Sequence, residues 1–169
     1  MPIADLIHSS LFLGMHSTNE KTRVSCKNYF VERLSAQVSM SLEHIGGCDH
    51  VIWLYPRELQ DAYYPFMDNL HTMMDMSRLP YSEDVIRLAL EDSQIPVLPM
   101  YDQLLVALAK SLKTTIYTVN KELLNQGSFP VCSPKFSKEK SFPNLLESLY
   151  RTSLQLRIQD SELTGDHHV

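Results

Sequence analysis

Cysteine is scarce in this 169-residue chain. Cys26, Cys48 and Cys132 are odd in number and include no CxxC pair, which argues against a disulfide framework and a zinc knuckle. Glycine is scarce too, with five residues. None of them builds a GxxxxGK[ST], GxGxxG or GxSxG signature, and HExxH is missing, so ATPase, dehydrogenase and serine-hydrolase readings lose their main support. There is no basic surplus: 15 Lys and Arg stand against 20 Asp and Glu, a net charge of −5. No global positive field therefore exists to hold nucleic acid, and any RNA contact must be local. Apolar runs are short. Leu6 to Met15 is interrupted by His8, Ser9 and Ser10 and falls well below the roughly 20 residues of a membrane helix. The start, Met-Pro-Ile-Ala-Asp, lacks the basic region of a signal peptide. A cytoplasmic protein with reduced thiols and no membrane contact is the expectation.

What the chain does have is 44% apolar residues and 21% charged ones, enough for one compact domain with a proper core. Ile3 to Ile7 reads as a buried first strand opening into a polar His-Ser-Ser loop. Asn19 caps a helix to about residue 34, and Ala36 to Met40 alternates as a second strand. Ser41 caps the next helix, carrying Glu43, Ile45, Val51, Ile52 and Trp53. Pro56 opens a long amphipathic helix through Met74, Ser82 a shorter one, and Asp102 heads a Leu/Ala-rich helix. Thr114 to Val119, rich in β-branched residues, is the clearest strand, and Phe129 to Cys132 is a last short one. Residues 133–142 read as a linker, followed by a helix from about 144 to 158 and a polar, frayed tail. The order predicts a three-layer α/β/α domain with a mainly parallel sheet over residues 1–132. Residues 133–169 are expected as a linker and helical extension packing on the core or on a partner.

Gly46-Gly47-Cys48-Asp49-His50 has the residue types of a nucleophile loop. Side chains this close on one helix cannot form a Cys-His pair with a third orienting group, so a close helix contact with Cys48 packed as a hydrophobe is the better reading. A more informative pattern is four polar residues at the ends of independently placed elements. His8 ends the first strand, Glu43 opens the helix after the second, Asp102 opens the helix before the strong strand, and Asn120 follows that strand. In an open α/β sheet such positions converge on one crevice.

Here the sequence resembles the PIN-domain family, small α/β/α nucleases related to the toxins of bacterial toxin–antitoxin pairs. Ile7-His8-Ser9-Ser10-Leu11-Phe12-Leu13 matches the family's opening strand motif, with His8 where an Asp stands. Val38-Ser39-Met40-Ser41-Leu42-Glu43 matches its second motif. Tyr101-Asp102-Gln103-Leu104-Leu105 fits the third, and Ile116-Tyr117-Thr118-Val119-Asn120 fits the fourth with Asn for Asp.

The resemblance implies a divalent-metal-dependent ribonuclease. Glu43, Asp102 and His8 would hold the ion, Asn120 would be the altered fourth member, and Ser10 and Thr118 would support them. Clustered carboxylates hold a hard cation that activates water and neutralises the transition state. With an imidazole and an amide in two acid positions, Mg²⁺ should bind weakly, and Mn²⁺, Fe²⁺ or Zn²⁺ suits the set better. The same substitutions support a rival reading: a catalytically degenerate PIN-like module that binds RNA, a protein or a second copy.

Two further features carry expectations. Asp61, Asp68 and His71 share helical spacing, so Asp68 and His71 are candidates to orient substrate or add a ligand. The plainer reading leaves them in water, with Met67, Leu70, Met73 and Met74 facing inward. Lys21, Arg23, Lys27 and Arg33 form a basic stripe on the first long helix, read either as an RNA contact or as a solvated face.

Overall fold

A computed structural model describes residues 4–95 and 97–163. The elements run β1 (Asp5–Ile7), α1 (Ser9–Gly14), α2 (Glu20–Glu32), β2 (Gln37–Ser41), α3 (Leu42–Trp53), α4 (Arg57–Met73) and β3 (Asp75–Leu79). They continue with α5 (Glu83–Glu91), α6 (Met100–Leu112), β4 (Ile116–Tyr117), α7 (Lys121–Leu124), β5 (Val131–Cys132), α8 (Asn144–Ser153) and a 3-10 turn at Asp160–Glu162. The five strands form one sheet in the order β3-β2-β1-β4-β5, and every pair is parallel.

Alternation along β1 splits the core into two layers. Ile7 joins the residues of α1 to α4 and α8 on one face of the sheet, while Leu6 joins those of α5, α6 and α7 on the other. This is the predicted three-layer α/β/α arrangement. Among the described residues no helix is long and apolar enough to cross a membrane.

The local signals explain most boundaries. Asn19 caps α2 by accepting from Thr22 N–H, Ser41 caps α3 through His44 N–H, and Ser82 caps α5 through Val85 N–H, each side-chain oxygen satisfying an orphan amide. Two expectations are corrected. The polar His-Ser-Ser segment opens α1 instead of a loop, because the His8 imidazole itself accepts from Ser10 N–H as an N-cap. The strand at 114–119 shrinks to Ile116–Tyr117: Thr114 Oγ1 donates to Ala4 O, and Thr118 Oγ1 accepts from Asn120 N–H, so both threonines serve the loops. A further strand, β3, follows α4 directly, and its single buried apolar residue, Met76, gives no alternating signal in the sequence.

The C-terminal extension lies on the core. Its helix ends at Ser153, and Ile158 bridges back to Ser17 instead of continuing helically. Phe142, Leu146, Tyr150, Leu156, Ile158 and Leu163 are all buried in the same cluster as α1 to α4. The polar tail therefore includes a buried anchor at Leu163. His167 and His168 lie outside the described residues.

Three members of the basic stripe are held by acidic partners. Lys27 is fully buried and Arg23 nearly so. Lys27 Nζ donates to Glu139 at 3.0 Å and Glu147 at 2.8 Å, while Arg23 bonds Glu20, Glu139 and the Tyr150 hydroxyl. Both cations tie down the extension, which corrects the readings of a solvated face and of an RNA contact for these two residues. Arg33 pairs with Asp5 at 3.3 Å.

Candidate functional site

β1 and β4 are neighbours, yet their chain connections leave on opposite sides of the sheet. This is the switch point at which α/β crevices form. His8 follows β1, Thr118 and Asn120 follow β4, α3 starts beyond β2, and α6 brings Asp102 in its first turn. With Ser10 of α1 and His44 of α3, the side chains of His8, Asp102, Thr118 and Asn120 are all buried.

His8 is the hub. Its Nε2 meets Asp102 Oδ1 at 2.8 Å, and its Nδ1 meets Ser10 Oγ at 2.8 Å and Ser10 N–H at 3.0 Å. Ser10 Oγ lies 3.0 Å from Thr118 Oγ1 and accepts from Val119 N–H. His44 sits beside His8, ring centroids 4.7 Å apart, and stacks on Tyr101 at 3.9 Å. Its Nδ1 accepts from Ser9 N–H at 3.1 Å, and its Nε2 lies 3.3 Å from Tyr101 O. Burial, followed by the neighbouring His8, holds His44 well below the ordinary histidine range, so this ring is neutral at physiological pH.

The two tautomers follow from the backbone. An amide N–H only donates, so Nδ1 of each imidazole must be an acceptor and the proton of each neutral ring sits on Nε2. His8 then donates to Asp102 and His44 to the Tyr101 carbonyl. Ligand atoms of His8, His44 and Asp102 lie within 4.8 Å of one another, close enough for a shared ion. Yet neither imidazole has a lone pair to offer while Ser9 and Ser10 amides hold Nδ1. An ion would have to displace a backbone bond or deprotonate a ring.

Glu43 is exposed, and its carboxylate makes no hydrogen bond or ion pair with the described residues. Nearby, the Tyr81 hydroxyl is pushed up chiefly by burial, with the charges of Glu43 and Asp102 adding to the shift. His44, absent from the sequence reading, takes the inward position instead. The signal was present in helical phase: the buried residues of α3 are His44, Cys48, Val51 and Ile52, spaced three and four apart, and Glu43 is off that stripe. Asn120 is buried, caps α7 through Oδ1 on Glu122 and Leu123 N–H, and has no partner for Nδ2. Asp68 and His71 lie elsewhere, lining a cavity between α3 and α4. Asp61 is exposed, 3.9 Å from Arg57.

Gly47 accounts for the double glycine. A Cβ there would stand 2.1 Å from the Tyr101 hydroxyl, whereas one at Gly46 would meet nothing. Tyr101 thereby reaches Ser9 Oγ at 3.0 Å and closes the crevice over His44.

Sheet order, layers and switch-point crevice define a PIN-like fold. A chain in the crystal structure of VapBC2 from Rickettsia felis bound to a DNA fragment from their promoter is similar in fold. Its TM-score is 0.59 at 10% identity, over 79% of this chain and all of that one. The chain belongs to the Family of unknown function (DUF6190), whose model matches residues 1–163. No curated protein matches it in sequence.

Proposed function

We propose that this protein is a PIN-like domain without metal-dependent hydrolysis, acting as a protein-binding module. The observation that carries the reading is the pair of backbone amides, Ser9 and Ser10, on the Nδ1 atoms of His44 and His8. Hydrolysis of a phosphodiester by a hard cation needs several free oxygen ligands. The crevice offers one buried carboxylate, Asp102, already bonded to His8. Asn120 spends its oxygen on a helix cap, and Glu43 faces solvent.

A protein partner fits better than RNA. Phosphate binding requires accessible cations, and Arg23 and Lys27 are consumed by Glu139 and Glu147. Exposed large apolar side chains instead stand on α3, on α5 and at or just before the start of α6, the helix that carries Asp102: Leu42, Ile86 and Leu90, and Val97 and Met100. Exposed apolar groups that form one patch mark interaction surfaces. The resemblance to toxins that work in toxin–antitoxin pairs points the same way.

The competing reading, RNA hydrolysis with Mn²⁺ or Zn²⁺, has in its favour the convergence of three donor residues within 4.8 Å. The two separate in one set of assays. The purified chain, given an RNA pool with Mg²⁺, Mn²⁺ or Zn²⁺, should leave the RNA intact and show no metal-dependent rise in Tm. Affinity capture from the native host should retain a protein that a Leu90→Asp chain loses. Metal-dependent cleavage abolished by Asp102→Asn would overturn the proposal.

A further inference from the structure

A second cavity, of about 410 Å³, opens between α3, α4 and the β2-β3 edge of the sheet, within the roughly 300–1,000 Å³ of small-molecule sites. Its floor is apolar, built by Phe12, Met40, Ile45, Cys48 and Met67. Its rim is charged in both signs. Asp68 and His71 are one helical turn apart on α4, and Arg78 of β3 reaches His71, Nη2 to Nδ1 at 3.5 Å. Arginine only donates, so His71 is neutral there, stacked parallel on Phe12 with centroids 5.3 Å apart. Asp49 of α3 faces the same opening and accepts from the Tyr64 hydroxyl at 3.1 Å.

Two facts single this cavity out. Asp49, Asp68 and Arg78, all lining one opening, form no ion pair within the described residues. Tyr63, which lines the cavity, is 2% exposed, and its hydroxyl has no hydrogen-bond partner, a costly omission in an enclosed site.

We propose that this cavity binds a free amino acid with a large apolar side chain. The ammonium group lies against Asp68 and Asp49, the carboxylate against Arg78, and the side chain on the Phe12, Ile45 and Met67 floor. Other classes fit worse. Two carboxylates repel a phosphate dianion, and a simple amine leaves Arg78 unmatched. A metal ion is disfavoured because His8, His44 and Asp102 are the one group of donors converging on a point among the described residues. The inference does not rest on the reading of the His8 crevice, because no residue is shared between the two.

The test is calorimetric titration of the full chain with L-phenylalanine, L-methionine and L-leucine. Phenethylamine serves as an ammonium-only probe, 3-phenylpropionate as a carboxylate-only probe, and glycine as a probe without an apolar side chain. At least one of the three amino acids should bind saturably, and each truncated probe should bind at least about tenfold more weakly, the loss of one charged hydrogen-bonding group. Asp68→Asn and Arg78→Gln, both at exposed positions, should each weaken binding about tenfold with Tm unchanged. The proposal is overturned by silence from all three amino acids at millimolar concentration, by a truncated probe or glycine binding as tightly as its parent, or by variants that bind like wild type.

Discussion

Two buried polar clusters, one at the switch point and one between α2 and the C-terminal extension, solve the cost of burial in opposite ways. The crevice around His8 is held by neutral rings, hydroxyls and backbone amides about a single carboxylate. The clamp around Lys27 is ionic: Arg23 and Lys27 on α2, Glu139 and Glu147 on the extension, with Tyr150 between them, its ring 4.8 Å from Lys27 Nζ. A buried charge demands a charged partner, whereas a neutral imidazole needs only one donor and one acceptor. The domain has therefore placed its buried charge where it fastens residues 139–150 to the core. At the switch point, where a hydrolytic ion would need acidic ligands, it has placed donors and acceptors that satisfy one another.

Removing one partner from each cluster should sharpen the contrast. Lys27→Ala takes the buried ammonium from between Glu139 and Glu147, which keep Arg23 and Arg151 as partners. It also empties the space the Lys27 stem fills, so it should lower unfolding free energy by about 3 kcal/mol. Lys27→Met, which keeps the packing, should cost clearly less than Lys27→Ala in the same denaturant series. If Lys27→Met is instead as stable as wild type, packing holds the clamp and its charges are incidental.

Acid should act next on a buried imidazole outside the crevice and leave the clamp intact. His16, buried between Tyr63 and Tyr150 and bonded to Ser153, is driven down to about 3 by burial and then by Arg157 and Arg23. Its folded pKa is depressed, so its contribution is complete above 6.5 and is lost as pH falls from 6.5 toward 3. The cost is about 1.4 kcal/mol per pH unit, or roughly 3 kcal/mol by pH 4.5. Burial opposes ionisation of Glu139, yet hydrogen bonds from Arg23 and Lys27 bring it down to about 2, so the clamp survives across that window. His16→Gln should flatten the stability slope between pH 6.5 and 4.5 by about one proton. An unchanged slope would remove His16 from the account.

Smaller effects probe the crevice. Gly47→Ala drives a methyl group into Tyr101 and should cost about 2 kcal/mol. Gly46→Ala, in open space on the same helix, should instead stabilise by up to about 1 kcal/mol. Asp102→Ala leaves His8 Nε2–H buried without an acceptor and should cost about 1–3 kcal/mol. Asp102→Asn keeps Oδ1 and should cost less than Asp102→Ala. If Asn is as damaging as Ala, the carboxylate charge matters in its own right, and the neutral picture of the crevice fails.

The sequence carried the architecture because capping residues and apolar periodicity are local: Asn19, Ser41 and Ser82 marked helix starts that the structure keeps. It also placed His8 and Asp102 at element ends, and they meet across 94 residues of chain. What it hid was orientation. Whether Glu43 or His44 turns inward depends on the phase of α3, which the longer pattern of Cys48, Val51 and Ile52 sets. α1 escaped notice because its cap is a histidine, and Lys27 looked solvated because its partners lie more than 100 residues away. The pairing of Arg78 with His71 depended on β3, a strand with only one buried apolar residue, Met76.

The central claim is that backbone amides fix both crevice imidazoles as Nε2–H tautomers and so withhold them from a metal ion. Nitrogen-15 NMR of the histidine rings reads this directly. At pH 7, His8 and His44 should each show a protonated Nε2 and an unprotonated, hydrogen-bonded Nδ1, with shifts unmoved by saturating Zn²⁺. Loss of the Nε2 proton from either ring on adding Zn²⁺, with the shift change of a metal-bound nitrogen, would contradict it.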